Sequence, residues 1–141
     1  MALDAAARAA QAAGAHCTRL KINVASHTPL MQDAAVEFSQ ALSSLPLRAP
    51  RVPLFGNAAD RITSGAQAAC ALAVQIAQTV GWSACMDNIH TRQVGCVLEV
   101  GPGAALARMW NQRFPEVPAR SVDEFRSASA IVDWVMRNGR G

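Results

Sequence analysis

The period at which apolar positions recur changes several times along the chain, and each change marks an element. Residues 4–13 are almost wholly alanine, the strongest helix former, with Asp4 placed to cap and Gly14 to stop a short amphipathic helix. Residues 19–24 (R-L-K-I-N-V) alternate at period two and predict a first strand with one wet face. In Ser26-His27-Thr28-Pro29, Ser26 or Thr28 can cap the next helix and Pro29 suits its first turn. That helix places Ala34, Phe38, Ala41, Leu42 and Leu45 on one stripe and ends at Pro46.

A connector bearing prolines and arginines follows at 47–53, and 52–55 form a second, short apolar strand stopped by Gly56-Asn57. Residues 64–80 carry Ala, Gln and Leu at helical spacing up to Gly81, and 83–91 predict another short helix. The nearly unbroken apolar run at 94–100 suits a parallel strand buried on both faces. Gly101-Pro102-Gly103 turns it into a helix that sends Leu106, Met109, Trp110 and Phe114 toward the core and ends at Pro115. A last strand at 117–122 and a last helix at 127–138, with Ile131, Val132, Trp134 and Val135 buried and Gly139 at its end, complete the pattern. Strands alternating with helices predict an α/β fold with a largely parallel sheet.

Composition narrows the class. At 141 residues, 51% hydrophobic and 16% charged, the chain has material for one domain with a core and is not the charge-rich, apolar-poor kind that stays disordered. The net charge of +3 comes from arginines scattered along the sequence, which argues against a nucleic-acid or membrane-surface role. No apolar stretch reaches the roughly 18 residues of a membrane span, and the start lacks a signal-peptide pattern, so a cytoplasmic protein is expected. Cys17, Cys70, Cys85 and Cys96 have neither zinc-ligand nor disulfide-framework spacing and read as buried thiols.

Three features could carry chemistry. His27 lies between a predicted strand and a helix, where α/β folds expose residues to a cleft, and could act as a general base; alone, such a histidine is more often structural. His16 and His90 have weaker contexts, and none of the three has a Glu or His four residues on, so no metal site is expected. The Gly101-Pro102-Gly103 turn could cradle a phosphate, with Asp123 twenty residues on as a ribose acid, but Leu106 stands where a dinucleotide fingerprint needs a small residue. None of the nine serines sits in a G-x-S-x-G elbow; Ser83, in Gly81-Trp82-Ser83-Ala84-Cys85, is nearest and follows a helix.

Taken together, the motifs resemble the C-terminal part of the malonyl-CoA:acyl carrier protein transacylase family. V-A-S-H-T-P-L-M at 24–31 resembles its V-x-x-H-S/T/C-x-x-M segment, and V-Q-I-A-Q-T-V-G-W at 74–82 resembles its Q-L-x-x-P-V-x-W segment, with Thr79 in place of the proline. L-E-V-G-P-G-A-A-L at 98–106 matches its E-x-G-P-G-x-x-L, and V-P-L-F-G-N at 52–57 resembles the V-P-x-x-x-N strand under the site. The ending A-R-S-V-D-E-F-R-S at 119–127 looks more like the malonyltransferase subunit of malonate decarboxylase than the fatty-acid synthesis enzyme.

The resemblance implies that residues 1–25 are a remnant of a small ferredoxin-like subdomain and 26–141 the C-terminal part of an α/β-hydrolase-like acyltransferase domain. It implies that His27 takes the proton from a serine that attacks malonyl-CoA, later deprotonates the thiol of an acyl carrier protein, and is oriented by the backbone carbonyl of Gln75. Malonyl-CoA is then a substrate, with no further cofactor. The family's G-H-S-x-G serine and its malonyl-binding arginine are not in these residues, so the chain alone is expected to be inactive: a fragment, a shortened chain or one part of a split protein. Orphan strand edges then predict a homodimer or pairing with the missing N-terminal half. A non-catalytic module that binds a carrier or sister subunit is the alternative.

Overall fold

The computed structural model describes residues 2–19, 22, 24–57 and 59–139. Among them, six α-helices and four short strands follow in the order α1 (Ala2–Ala12), α2 (Gln32–Ser43), β1 (Leu54–Gly56), β2 (Ala59–Ile62), α3 (Gly65–Val74), α4 (Trp82–His90), β3 (Val97–Glu99), α5 (Ala105–Arg113), β4 (Ala119–Ser121) and α6 (Ala128–Asn138). The chain is thus a mixed α/β fold. Local chemistry sets several of the starts. Ser64 caps α3 by accepting the Gln67 N–H at 3.1 Å, and Ser127 caps α6 by accepting the Ala130 N–H at 3.2 Å.

The parallel sheet is present but small, a single pair of strands among the described residues. β1 and β2 make an antiparallel hairpin paired Leu54 to Ile62 and Gly56 to Ala59, while β3 and β4 make a separate parallel pair from Val97 opposite Ala119 to Glu99 opposite Ser121. The crossover between the parallel strands is α5, and the main core lies beneath it. Met86, Ala107, Trp110 and Ala119 are buried together there, with Trp82, Ile89, Val97, Phe114 and Val117 packed around them. Trp110 donates its indole N–H to the Val117 carbonyl at 3.0 Å, and the Asn111 amide holds both backbone groups of Ala119, at 2.8 and 2.9 Å. A second layer is α2 against α3, which buries Ala35, Leu42, Ala71 and Ala73.

Several expectations change for want of neighbours. Of the expected first strand, Arg19, Ile22 and Val24 are irregular, and residues 20, 21 and 23 lie outside the described residues. The Thr28 hydroxyl donates to the Ala25 carbonyl instead of capping, and a single 3-10 turn, Pro29–Met31, precedes α2. Of the predicted α2 stripe only Leu42 is buried, since the main cover of that helix is α3; Ala35 joins it, Ala34 is half-buried, and Phe38, Ala41 and Leu45 face outward. The strand expected at 94–100 shrinks to three residues because it has one partner strand, and Val100 is 80% exposed. Leu106, Met109 and Val132 are likewise exposed. The helix expected to reach residue 80 stops at Val74.

The four thiols are free, and none is fully buried: Cys70 is exposed, and Cys17, Cys85 and Cys96 are half-buried. Among the described residues no helix is long and apolar enough to cross a membrane.

Candidate functional site

The early end of α3 creates the site. A helix leaves its last carbonyls without intrahelical partners, and here Gln75 caps α3 while residues 75–77 form one more turn. His27 takes two of the free carbonyls. Its backbone N–H donates to the Ile76 carbonyl at 2.9 Å, and its ring Nδ1 lies 2.7 Å from the Gln75 carbonyl. His27 adopts φ 63, the left-handed region that a non-glycine residue rarely enters, and the bond to Ile76 helps hold it there.

A carbonyl can only accept, so the proton of the neutral imidazole lies on Nδ1 and Nε2 carries the lone pair. The ring is exposed, which leaves that lone pair open to an incoming donor. The structure therefore brings His27 and Gln75 together in a geometry suited to proton transfer at Nε2.

Farther along the same linker, Gly81 donates its N–H to the Asn57 side-chain oxygen at the hairpin corner after β1. The other end of that amide, Nδ2, and the neighbouring Trp82 Nε1 are buried without a hydrogen-bond partner among the described residues. Cys85, below the same corner, points its thiol at the Gly56 carbonyl; burial, and then the Asp60 charge, push its pKa up, so it stays protonated.

The glycine turn has a different role from an anion cradle. Gly103 donates its N–H to Asp123 Oδ2 at 2.6 Å, and Ala107, in the first turn of α5, donates to Glu99 Oε2 at 2.7 Å. The Ser121 hydroxyl donates to the Gly103 carbonyl and accepts the Asp123 N–H at 3.2 Å. Two amides that a phosphate would need are thus given to carboxylates of this chain, whose charge would repel it. The nucleotide-binding alternative is corrected accordingly, and Asp123 is a brace of the turn instead of a ribose acid. A side chain at Gly101 would come within 3.0 Å of that carboxylate.

His16 and His90 stand apart from the site. His16 Nε2 lies 3.3 Å from the Thr18 hydroxyl. His90 stacks on Phe114 with centroids 4.0 Å apart, and its Nε2 lies 2.7 Å from Glu116 Oε1. The Glu116 carboxyl is held below the ordinary range, first by its own backbone N–H and then by His90. Two apolar hollows remain open: a groove of about 720 Å3 between α2 and α3, lined by Val36, Leu42, Leu45, Leu47 and Cys70 among others, and one of about 360 Å3 beside Trp82, Leu98 and Pro102.

His27 and Gln75, both expected from the sequence, lie side by side, whereas the braces were not expected. One signal was legible: Ser121-Val122-Asp123-Glu124 has the S-x-x-E form of a capping box, and it forms one. The Glu124 carboxyl is held below the ordinary range by the Ser121 N–H and then by Arg120. Nothing in the spacing marked the bond between Asn57 and Gly81.

No protein-family model matches the chain. Among curated proteins it is similar to the malonyl CoA-acyl carrier protein transacylases of Salmonella typhimurium, 30% identical over 133 residues, and of Escherichia coli K12, 28% identical over 134 residues. These alignments take in 93% and 94% of this chain but 43% of either relative, so the chain spans less than half their length. Solved structures agree. The transacylase of Coxiella burnetii superposes with a TM-score of 0.84 at 25% identity, over 99% of this chain and 44% of that one. A malonyl-transacylase solved in complex with its type II PKS acyl-carrier protein superposes with a TM-score of 0.82 at 28% identity, over 97% and 44%.

Proposed function

We propose, from the premise that this chain belongs to the malonyl-CoA:acyl carrier protein transacylase family and matches part of its members, that it supplies the histidine half of a serine–histidine malonyl transfer. The observation that carries the reading is the 2.7 Å contact of His27 Nδ1 with the Gln75 carbonyl, which leaves Nε2 as the proton acceptor.

Nε2 takes the proton as a serine hydroxyl attacks the malonyl thioester. The new O–C bond forms, the C–S bond breaks, and the departing thiolate of coenzyme A recovers the proton. In the second half the thiol of the carrier gives its proton to Nε2, its sulfur attacks the acyl-enzyme, and the serine oxygen leaves and is reprotonated. The carrier as acceptor is supported by the relative solved with its acyl-carrier protein. The serine, and the arginine that selects malonyl groups, are to come from polypeptide other than these 141 residues. The chain alone is then without turnover.

The test is malonyl transfer from malonyl-CoA to an acyl carrier protein, measured with the chain alone and mixed with the nucleophile-bearing portion of a related transacylase. Background rates alone, turnover in the mixture, and a roughly 100- to 10,000-fold loss with His27→Ala are expected. Turnover by the chain alone, or a His27→Ala mixture as fast as the unaltered one, would overturn the reading.

A further inference from the structure

We propose that Asn57 is a positioning residue for His27, acting through the linker between α3 and α4; the inference rests on the reading of His27 as the proton carrier. The linker, residues 75–81, does two jobs at its two ends. At one end the Gln75 and Ile76 carbonyls face His27, one on the ring and one on the backbone N–H. At the other, the Gly81 N–H is held by Asn57 Oδ1. Between them, residues 78–80 make no hydrogen bond among the described residues. α3 holds the near end, where Gln75 N–H donates to the Ala71 carbonyl at 3.1 Å and Ile76 N–H to the Ala73 carbonyl at 3.3 Å, and the tether at Gly81 sets the far end, so losing it frees the linker to pull that last turn out of line with His27.

The helix that follows does not need this amide. α4 uses the Gly81 carbonyl, which accepts from Cys85 N–H at 3.1 Å, while the first N–H groups of a helix have no partner within it. Asn57 takes the spare donor from the end of β1, which packs on α4. Only its oxygen is engaged; Nδ2 makes no bond among the described residues. An aspartate in its place keeps the acceptor and loses nothing that Nδ2 was doing, whereas an alanine removes the tether.

This separates positioning from stability. The readout is the tautomer of His27 in the 15N-labelled chain, seen in two-bond imidazole correlations above the histidine titration range, with the resonance identified by its loss in His27→Gln. The unaltered chain is expected to show the Nδ1–H form. Asn57→Ala should lose that preference, and so should Gly81→Pro, which removes the same bond from its other side; Gly81 has φ −83, which a proline ring can adopt. Asn57→Asp should retain it, and the His90 signals should stay in place in all three variants.

Folded Asn57→Ala and Gly81→Pro chains with an unchanged His27 would overturn the proposal. So would Asn57→Asp as disruptive as Asn57→Ala, or general loss of the His90 signals in both bond-removing variants, which would make the contact a matter of stability. An unaltered chain whose His27 carries its proton on Nε2 is a different failure, that of the site reading itself.

Discussion

Ser121 has no exposed surface and uses its hydroxyl twice, as donor to the Gly103 carbonyl and as acceptor for the Asp123 N–H. Replacing it with alanine removes both hydrogen bonds at a side chain that is itself fully buried. Each hydrogen bond lost costs roughly 0.5–1.5 kcal/mol, so Ser121→Ala, which loses two, should lower the unfolding free energy by about 1–3 kcal/mol. Arg120→Ala, which breaks an ion pair with Glu124 in which both side chains are about 40% exposed, should cost less than roughly 1 kcal/mol. Parallel urea titrations of the two variants check the order, and an equal or reversed order would mean that the turn is not braced by this hydroxyl. The same residues show where spacing misleads. Asp123 does stand twenty positions after Gly103, but its charge points at the Gly103 amide and fills the place an anion would take.

At the scale of elements, the contrast within α5 is the sharpest. Trp110 is 3% exposed and bonded through its indole N–H, while Met109, one position earlier, is 44% exposed. Trp110→Ala should destabilise by about 3–5 kcal/mol, the range for emptying a buried aromatic site, and Met109→Ala by no more than about 0.5 kcal/mol, as for other surface positions. Thermal or chemical unfolding of the pair checks this, and similar losses would mean that the helix buries a different face. The helices were legible because their signals are local: the alanine run of α1, the helical spacing of α3 and α6, Gly81 before α4 and Pro115 after α5. Strand lengths were not, because a strand extends only as far as a neighbour pairs with it, and among the described residues β3 has β4 alone. Nor was the end of α3, whose apolar pattern runs on past Val74 while the Ile76 carbonyl is taken by a residue 49 positions earlier. The site was half legible for the same reason: the motif around His27 is contiguous, but the Asn57 tether is a tertiary contact.

For the whole molecule the decisive quantity is surface. The chain exposes 10,342 Å2, where a folded monomer of its 14.9 kDa is expected to expose about 7,000 Å2. The difference, about 3,000 Å2, exceeds the roughly 1,600 Å2 that a standard interface buries in total. Much of it is apolar: Leu30, Val100 and Val52 are 84%, 80% and 70% exposed, the α2–α3 groove is open, and α1 buries none of its residues. Relatives more than twice as long have further polypeptide with which to cover such faces. Alone in water, this chain should therefore associate, and sedimentation at micromolar concentration should give a dimer or larger species that binds an apolar dye. Adding the complementary portion of a related transacylase should compete for the same surface, releasing the dye and replacing self-association with a one-to-one pair. A monomer that stays monomeric and dye-free would mean that the exposed faces close on themselves in solution. In that event the apolar groove between α2 and α3 would have to be largely absent, and α2 would have to bury the Phe38 and Leu45 side that the structure leaves open.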